Sequence, residues 1–159
     1  MIIIADSSPL ISLATINKLE LLEDYFDEVY VPYAVYKEVS AYDKPFSGKL
    51  KKYLENKVLN VENQYMVSVL NEKIDLGEAE AITLAFEKKA DFIILDDLKA
   101  RKTAIRNELN AIGTLGLLLE AKKEGKIENL REIIKIFTDN DIRLSKQLIK
   151  DILIEAGEL

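Results

Sequence analysis

The stretch MIIIADSSPLI, residues 1–11, decides how the rest of the chain is interpreted. Its apolar run from Met1 to Ala5 is typical of a strand buried on both faces, and the run ends at Asp6. Ser8 is a suitable N-cap and Pro9 suits a first helical turn, so we expect a helix directly after the strand. The sequence therefore predicts a single carboxylate at the tip of a buried strand.

The same order of short apolar run and amphipathic helix recurs along the chain. Further strands are predicted at Glu28–Pro32, Val58–Val61 and Asp91–Asp96, with an edge strand at 111–113. Strands that alternate with helices predict a parallel sheet covered by helices on both faces. We therefore expect an α/β protein with three layers, α/β/α, and a parallel central sheet of four to five strands.

Helical periodicity occupies most of the remaining sequence. The helix that opens at Asp75 is predicted to turn Ala79, Ile82, Thr83 and Phe86 inward, and the helix at Lys99–Leu109 is predicted to turn Ala100, Ala104, Ile105 and Leu109 inward. Other helices are predicted at Tyr33–Ala41, Gly48–Leu54, Tyr65–Leu70 and Thr114–Lys123. We expect one domain over residues 1–159, with a C-terminal helical extension at about 128–159 that is split near residues 139–140.

Composition excludes several classes of chemistry. The 159 residues include no Cys and no His, so disulfides, thiolate catalysis, Ser-His-Asp triads and imidazole metal ligands are all excluded. The chemistry of an enzyme with this composition would depend on carboxylates, hydroxyls, Lys or Arg, together with a hard metal ion. No apolar run approaches the roughly 18 residues of a membrane span, and no signal peptide is recognisable, so we expect a cytoplasmic protein that does not associate with membranes.

Acidic residues occur where the strands of such a sheet would end. Asp6 follows the first strand, and Asp96 and Asp97 end the run IILDD, whereas Glu38 and Glu78 lie on helices that follow strands. Each has a structural alternative. Asp6 and Asp97 could cap helices, Asp96 and Glu38 could face solvent, and Glu78 stands at capping-box spacing from Asp75.

The set is more informative than its members. In parallel α/β sheets, ligands bind outside the carboxyl ends of the strands. These acids are therefore expected to converge at that one edge of the sheet, which we call the mouth. Two carboxylates about 4 Å apart repel by roughly 4 kcal/mol at an effective dielectric near 20, unless cations offset the repulsion. Mg²⁺ or Mn²⁺ bound there would also activate water against a phosphodiester.

In order along the chain, these segments resemble a PIN domain, the nuclease fold of VapC-type toxins. The start IIIADSSPLI, then VPYAVYKEV (31–39), LGEAEAITLA (76–85) and FIILDDLKAR (92–101) resemble its successive acidic motifs. GTLGLLLEAKKEGKI (113–127) and the closing IEAGEL are similar to a PIN-like subgroup of unknown function, DUF3368-like. The resemblance covers nearly the whole chain.

The resemblance implies a metal-dependent ribonuclease that uses Mg²⁺ or Mn²⁺ and could be the toxin of a toxin–antitoxin pair. Carried over, the metal ligands and catalytic residues would be Asp6, Glu38, Glu78 and one of Asp96 or Asp97. Two departures from the family pattern stand out. Glu78 occupies a position that is often Asp, with Glu80 nearby, and Leu95 replaces the usual Ser or Thr. The implied partners are RNA, an antitoxin protein and a second copy of the chain in a homodimer.

Candidate RNA-binding residues cluster after the late acids. Lys99, Lys102 and Arg106 recur at helical spacing with Arg101 beside them, and a phosphate backbone could be positioned by such a row. Ser7 and Ser8 beside Asp6 complete the predicted substrate-binding set. The alternative for the basic row is a solvated helix face.

Two other functional classes compete with the nuclease hypothesis. The departures at Leu95 and Glu78 favour a catalytically weak or inactive PIN-like module that acts through protein or RNA partners. Phosphotransfer and phosphatase domains also place acids at strand ends. A dehalogenase-like site, however, needs a second Asp two residues after Asp6, where Ser8 stands. A receiver domain places its paired acids after the first strand, whereas this chain has its Asp pair late.

Overall fold

Five short parallel strands form the central sheet of the computed structural model, which describes residues 1–159. Across the sheet their order is β3-β2-β1-β4-β5, so the first strand is central. Their bounds are β1 (Ile2–Ala5), β2 (Glu28–Pro32), β3 (Val58–Leu59), β4 (Phe92–Ile94) and β5 (Ala111–Ile112). The predicted parallel sheet is confirmed and has five strands.

Ten helices cover the two faces of the sheet, which confirms the predicted three-layer α/β/α class. In chain order they are α1 (Ser7–Thr15), α2 (Leu21–Tyr25), α3 (Tyr33–Ser40), α4 (Ser47–Tyr53), α5 (Gln64–Leu70), α6 (Leu76–Glu87), α7 (Leu98–Arg106), α8 (Thr114–Lys123), α9 (Leu130–Asp139) and α10 (Lys146–Glu155). None of them combines the length and the apolar character that a bilayer-spanning helix needs.

Alternation along the strands divides the apolar side chains between two cores. Ile3 and Ala5 join a core of 28 buried residues that includes α1, α8 and α9, whereas Ile4 joins a second core of 13 residues with α6 and α7. Successive side chains of a strand point to opposite faces, so β1 contributes to both cores. A strand covered on both sides has to be apolar throughout, which explains the run IIIA.

The register of the strands brings their carboxyl ends to one edge of the sheet. Ala5 pairs with Ile94 and Ile4 pairs with Tyr30, so β1 ends beside both neighbouring strands. The backbone N–H of Asp6 donates to the Ile94 carbonyl over 3.1 Å. Asp6 is thereby fixed to the end of β4, and the acids that follow β1 and β4 share this edge.

Three local predictions were wrong, and one helix was missed. Phe86 and Ile105, which were expected to face inward, are 56% and 60% exposed, so they lie outside the buried stripes of α6 and α7. The helix after β1 begins at Ser7, so Asp6 rather than Ser8 occupies the N-cap position. The short helix α2 was not predicted, since five residues are too few for a recognisable period.

The C-terminal helices pack on the larger core and are secured by Glu158. Its carboxylate accepts hydrogen bonds from the backbone N–H groups of Leu130 and Arg131, at 2.9 and 3.1 Å, and from Nζ of Lys122 at 2.9 Å. These donors include the first two N–H groups of α9, which have no partner within the helix. Glu158 therefore joins the end of the chain to α8 and to the start of α9.

Candidate functional site

Asp6 lies at the carboxyl end of β1 and is 5% exposed. It occupies the N-cap position of α1, yet its carboxylate caps none of the N–H groups of that helix. No side-chain oxygen or nitrogen that is wholly buried lacks a hydrogen-bond partner. The Asp6 carboxylate, which forms no capping bond, is therefore not wholly buried.

Glu38 reaches the same mouth from α3. The Ser7 hydroxyl, at the start of α1, donates to Oε2 of Glu38 over 2.9 Å. Ser7 is buried and Glu38 is exposed, so the hydroxyl holds the exposed carboxylate beside the end of β1. The structure thus brings Asp6, Ser7 and Glu38 together from two separate elements.

Glu78 enters from the first turn of α6. Its Oε1 accepts from the Asp75 N–H at 3.1 Å while Asp75 Oδ1 accepts from the Glu78 N–H at 2.8 Å, which is a complete capping box. The structural alternative for Glu78 is therefore present in the fold. The side chain is also 8% exposed, which is unusual for a carboxylate that only caps a helix.

Gly77 allows these acids to approach one another. A Cβ at this position would lie 3.3 Å from Oε2 of Glu38 and 3.5 Å from Oδ1 of Asp75. The absent side chain leaves room for the carboxylates of α3 and of the capping box on either side of one backbone segment. Glu80, the other acid near this position, instead accepts from the Ala34 N–H at the start of α3, over 3.0 Å.

The two late aspartates diverge. Oδ1 and Oδ2 of Asp96 accept from the backbone N–H and the hydroxyl of Thr114, each at 2.7 Å, at the start of α8. Asp97 occupies the N-cap of α7 and accepts from the Ala100 N–H at 2.9 Å. Asp97 therefore has the capping role considered as its alternative, whereas Asp96 bonds Thr114 instead of merely facing solvent.

The pKa values of Asp6 and Glu78 reflect their burial and the carboxylates that crowd around them. Burial raises the pKa of Asp6 to about 7; the nearby Ser7 N–H opposes this shift in part, and the charges of Glu78, Asp75 and Glu38 add to it. Burial likewise raises the pKa of Glu78 to about 7, opposed by the Asp75 N–H and increased by the charges of Asp75 and Asp97. Removal from water and like charges both disfavour the ionised form.

A cleft of about 980 Å³ opens beside the mouth, between α1, α7, the start of α8 and the segment that joins α9 to α10. Ser8, Asp96, Asp97 and Arg101 line it. A Cβ on Gly113 would come within 2.8 Å of an Arg101 guanidinium nitrogen and 3.3 Å of Asp96 Oδ1. Arg101 is half-buried, and its guanidinium lies over Gly113 at the edge of the cleft, close to Asp96.

The remaining predicted RNA-binding residues lie on the surface of α7. Lys99, Lys102 and Arg106 are exposed, and none of them forms an ion pair. Of the row, only Arg101 lines the cleft. The departure at Leu95 has a simple physical reason, because that side chain is fully buried in the smaller core.

The donor set suits a hard divalent ion. Asp6, Glu38 and Glu78 offer only carboxylate oxygens, which Mg²⁺ and Mn²⁺ prefer, and no nitrogen or sulfur ligand is present. The Asp6 carboxylate forms no capping hydrogen bond at the helix start, and the nearby Ser7 N–H is the one donor that favours its ionised form. No group of three or more acids lies close enough together to hold an ion as it stands, so these side chains would have to draw closer around one.

Two participants were missed from the sequence. Asp75 was assigned only as the start of a helix, yet its charge raises the pKa of both Asp6 and Glu78. Thr114 holds Asp96 from 18 residues away. The capping-box spacing was the available signal for Asp75; no local signal identifies Thr114.

Comparison with known proteins agrees with this arrangement. A family model described as a PIN domain, DUF3368, matches residues 2–158. No curated protein matches the chain. The family match supports a nuclease-type superfamily, in keeping with acids gathered at the carboxyl edge of a parallel sheet. Since the match spans almost the full length of the sequence, the chain belongs to the PIN domain family.

Proposed function

We propose that this protein is a ribonuclease that hydrolyses RNA phosphodiesters with Mg²⁺ or Mn²⁺. The observation that carries the proposal is the crowding of Asp6 with Glu38, Glu78 and Asp75 at one edge of the sheet. Crowded carboxylates cost stability unless a cation offsets their repulsion. A fold that keeps Asp6 buried and free of a capping role is therefore suited to binding a cation.

Each acid has a distinct part in this proposal. Asp6, Glu38 and Glu78 would hold the ion, with Asp97 contributing negative charge from the end of β4. A divalent ion bound there would stabilise the charge that develops on the phosphate and lower the pKa of a bound water. Ser7 orients Glu38 through its 2.9 Å hydrogen bond, and Thr114 orients Asp96 at the rim of the cleft.

The basic residues of α7 would position the substrate. Arg101 lines the cleft beside Asp96 and Asp97, and Lys99, Lys102 and Arg106 extend from it along an exposed helix face. Contacts of this kind fix the register of a phosphate backbone without reading its sequence. Ser8 lies at the same rim and is exposed.

The decisive experiment removes one charge from the mouth. Asp6→Asn should reduce Mn²⁺-dependent cleavage of a labelled single-stranded RNA at least about a hundredfold, because the ion loses a buried ligand. Asp139→Asn is the matched control, since Asp139 is exposed at the end of α9 and its loss changes the net charge equally. Cleavage by Asp6→Asn at the wild-type rate would contradict the proposed site.

A second candidate function is a PIN-like module that binds partners without catalysis. It is favoured by the structural hydrogen bonds of Glu78, Asp96 and Asp97 and by the lack of a ready-made group of three metal-holding acids. Thermal unfolding distinguishes the two. A metal site should raise the melting temperature at millimolar Mn²⁺ by mass action, whereas the binding module predicts no change.

The partners belong to the same proposal. RNA would be the substrate, an antitoxin protein would inhibit a cytoplasmic toxin of this class, and a second copy would complete a homodimer. Leu148 and Ile154 on α10 are 37% and 53% exposed, so this helix has apolar surface that a second copy could cover. Light scattering of the purified protein, with and without single-stranded RNA, tests the homodimer.

A further inference from the structure

A second concave surface lies on the other side of α3 from the acidic mouth. It has a volume of about 660 Å³ and is lined by Tyr33 and Tyr36 of α3, by Gly48, Lys51 and Lys52 of α4, and by Glu55 and Val58 beyond them. We call this surface the tyrosine–lysine groove. None of the metal ligands and substrate-binding residues named above lines it.

The groove contains two neighbouring aromatic rings. The rings of Tyr33 and Tyr36 have their centroids 6.5 Å apart with a tilt of 38°, so they do not stack face to face. Tyr36 is half-buried against the larger core, whereas Tyr33 is 52% exposed. The half-buried Tyr36 lies beside the exposed Tyr33, and about half of the Tyr33 surface remains available to a ligand.

Two lysines that line the groove, Lys51 and Lys52, belong to a basic segment of the chain. The segment from Lys44 to Lys57 contains five lysines and a single acid, Glu55, in a chain whose net charge is −6. Lys51 and Lys52 are exposed and take part in no ion pair. The unpaired charges of Lys51 and Lys52 favour an anionic ligand. Gly48, which also lines the groove, adds no bulk there, since nothing lies within 4 Å of a Cβ placed on it.

The groove and the mouth share one helix. Tyr33 opens α3 directly after β2, at the carboxyl edge of the sheet, and Glu38 lies five residues later, about 7.5 Å along the helix axis. Tyr36 and Glu38 point to opposite flanks of α3, since two helical residues differ by about 200°. A chain that crosses the start of α3 would therefore pass from one surface to the other.

We infer that the tyrosine–lysine groove binds a single-stranded RNA segment that flanks the cleaved bond, with a base stacked on Tyr33 and phosphates beside Lys51 and Lys52. Exposed aromatic rings next to unpaired cations match the chemistry of single-stranded nucleic acid, because stacking accepts any base and lysines contact any phosphate. A duplex offers no free base face to Tyr33. This inference rests on the proposed function, since it assigns the flanking strand of the same substrate.

The test measures binding without cleavage. Fluorescence anisotropy of a labelled 12-nucleotide single-stranded RNA is recorded in EDTA for the wild type, for Tyr33→Ala and for Lys51→Ala/Lys52→Ala. Tyr33→Ala should weaken binding about fivefold or more with an unchanged salt dependence. In the Lys51→Ala/Lys52→Ala variant, the slope of log K against log salt should be less negative than in the wild type by about 1.4, because two phosphate contacts are lost.

Matched controls lie outside the groove. Tyr65→Ala removes a tyrosine that is 79% exposed on α5, and Lys135→Ala/Lys150→Ala removes two exposed lysines of α9 and α10. Both should bind RNA like the wild type, and duplex RNA should bind equally to wild type and Tyr33→Ala. Wild-type affinity and salt slope in both groove variants would overturn the inference. So would lysine-dependent binding of an acidic peptide with no RNA binding, which would indicate a protein partner.

The two proposals fail separately. The groove variants are tested by affinity in EDTA, whereas Asp6→Asn is tested by Mn²⁺-dependent cleavage. A normal cleavage rate in Asp6→Asn together with weakened RNA binding in Tyr33→Ala would remove the metal centre and support the groove. Loss of cleavage in Asp6→Asn together with wild-type affinity in both groove variants would support the metal centre and remove the groove.

Discussion

The hydroxyl of Ser7 donates a hydrogen bond to Oε2 of Glu38 across 2.9 Å, joining two residues that are 31 positions apart in the chain. The bond ties the start of α1 to the middle of α3 beside the end of β1. An exposed glutamate is thereby held next to a buried aspartate, Asp6, although neither forms an ion pair.

Ser7→Ala should loosen Glu38 without unfolding the protein. The cost in unfolding free energy should be about 1 kcal/mol, because the exposed carboxylate regains water when the hydroxyl is removed. The rise in melting temperature caused by Mn²⁺ should be smaller than in the wild type. Thermal unfolding with and without Mn²⁺ measures both effects. Ser8→Ala, an exposed neighbour, is the control for stability, and an equal Mn²⁺ effect in Ser7→Ala and the wild type would refute the orienting role.

The stability of the metal-free protein should fall as the pH rises from about 4 to about 7. The pKa of Asp6 rises from 3.8 to about 7 on folding, and that of Glu78 from 4.5 to about 7. In this window the folded state binds more protons than the unfolded chain, so the unfolding free energy decreases with pH. The total decrease should be on the order of a few kcal/mol.

Urea denaturation in EDTA at pH 5, 6, 7 and 8 measures this dependence. Asp6→Asn should flatten the curve and stabilise the protein at pH 8, because the amide cannot ionise. Asp139→Asn should keep the wild-type curve. If Asp6→Asn retained the full pH dependence, the charge of Asp6 would not be the cause.

Gly113→Ala should displace Arg101. The new Cβ would lie 2.8 Å from a guanidinium nitrogen, closer than ordinary contacts allow, so the arginine would have to leave its seat beside Asp96. If Arg101 positions phosphate, Gly113→Ala and Arg101→Ala should both weaken RNA binding, each by about fivefold. Anisotropy in EDTA measures the affinity.

Gly116→Ala is the matched glycine control, because nothing lies within 4 Å of its added Cβ. It lies inside α8, where replacing Gly by Ala should stabilise the helix by about 0.5–1 kcal/mol. RNA affinity should remain at the wild-type value in this variant. Equal affinity in Gly113→Ala and Gly116→Ala would mean that the seat of Arg101 has no part in binding.

Glu158→Gln should destabilise the C-terminal helices. The carboxylate accepts from the N–H groups of Leu130 and Arg131 and from Lys122, and charged acceptors at a helix start are worth about 1–2 kcal/mol. Burial acts to raise the pKa of Glu158, but the bonds from Lys122 and from the two N–H groups lower it overall. The contribution of Glu158 to the unfolding free energy is therefore present above about pH 4.5 and is lost below it. Denaturation at pH 7 and at pH 3.5 measures the loss.

Glu155→Gln serves as the control for that comparison, since Glu155 is exposed at the end of α10. It should unfold like the wild type at both pH values. A Glu158→Gln variant as stable as Glu155→Gln at pH 7 would show that the hydrogen bonds at the start of α9 are replaceable by water.

Periodicity predicted the elements well where they are long or bounded by clear signals. The strand Glu28–Pro32 and the helix Thr114–Lys123 have the bounds that the sequence indicated. Phe86 and Ile105 show the limit of this reasoning. A period of 3.6 residues identifies which side chains share a face, but not how wide a stripe the neighbouring layer covers.

The acids show a second limit. Their placement at strand ends followed from the parallel sheet, and the capping box of Asp75 and Glu78 was readable from spacing. The sequence could not predict which of Asp96 and Asp97 caps a helix and which bonds elsewhere. The answer depends on Thr114, which lies beside Asp96 because β5 pairs with β4. Contacts between distant segments decide which carboxylates remain free, and local patterns carry no record of them.

The central position of β1 also governs the order in which the molecule can be assembled during synthesis. Ile2–Ala5 leaves the ribosome before its neighbour Phe92–Ile94, which follows almost ninety residues later. At roughly 5–20 residues per second, one edge of the opening strand stays without its partner for several seconds. A nascent chain that stops before β4 therefore lacks the Ile94 carbonyl that accepts from the Asp6 N–H, and with it the contact that fixes the start of the site.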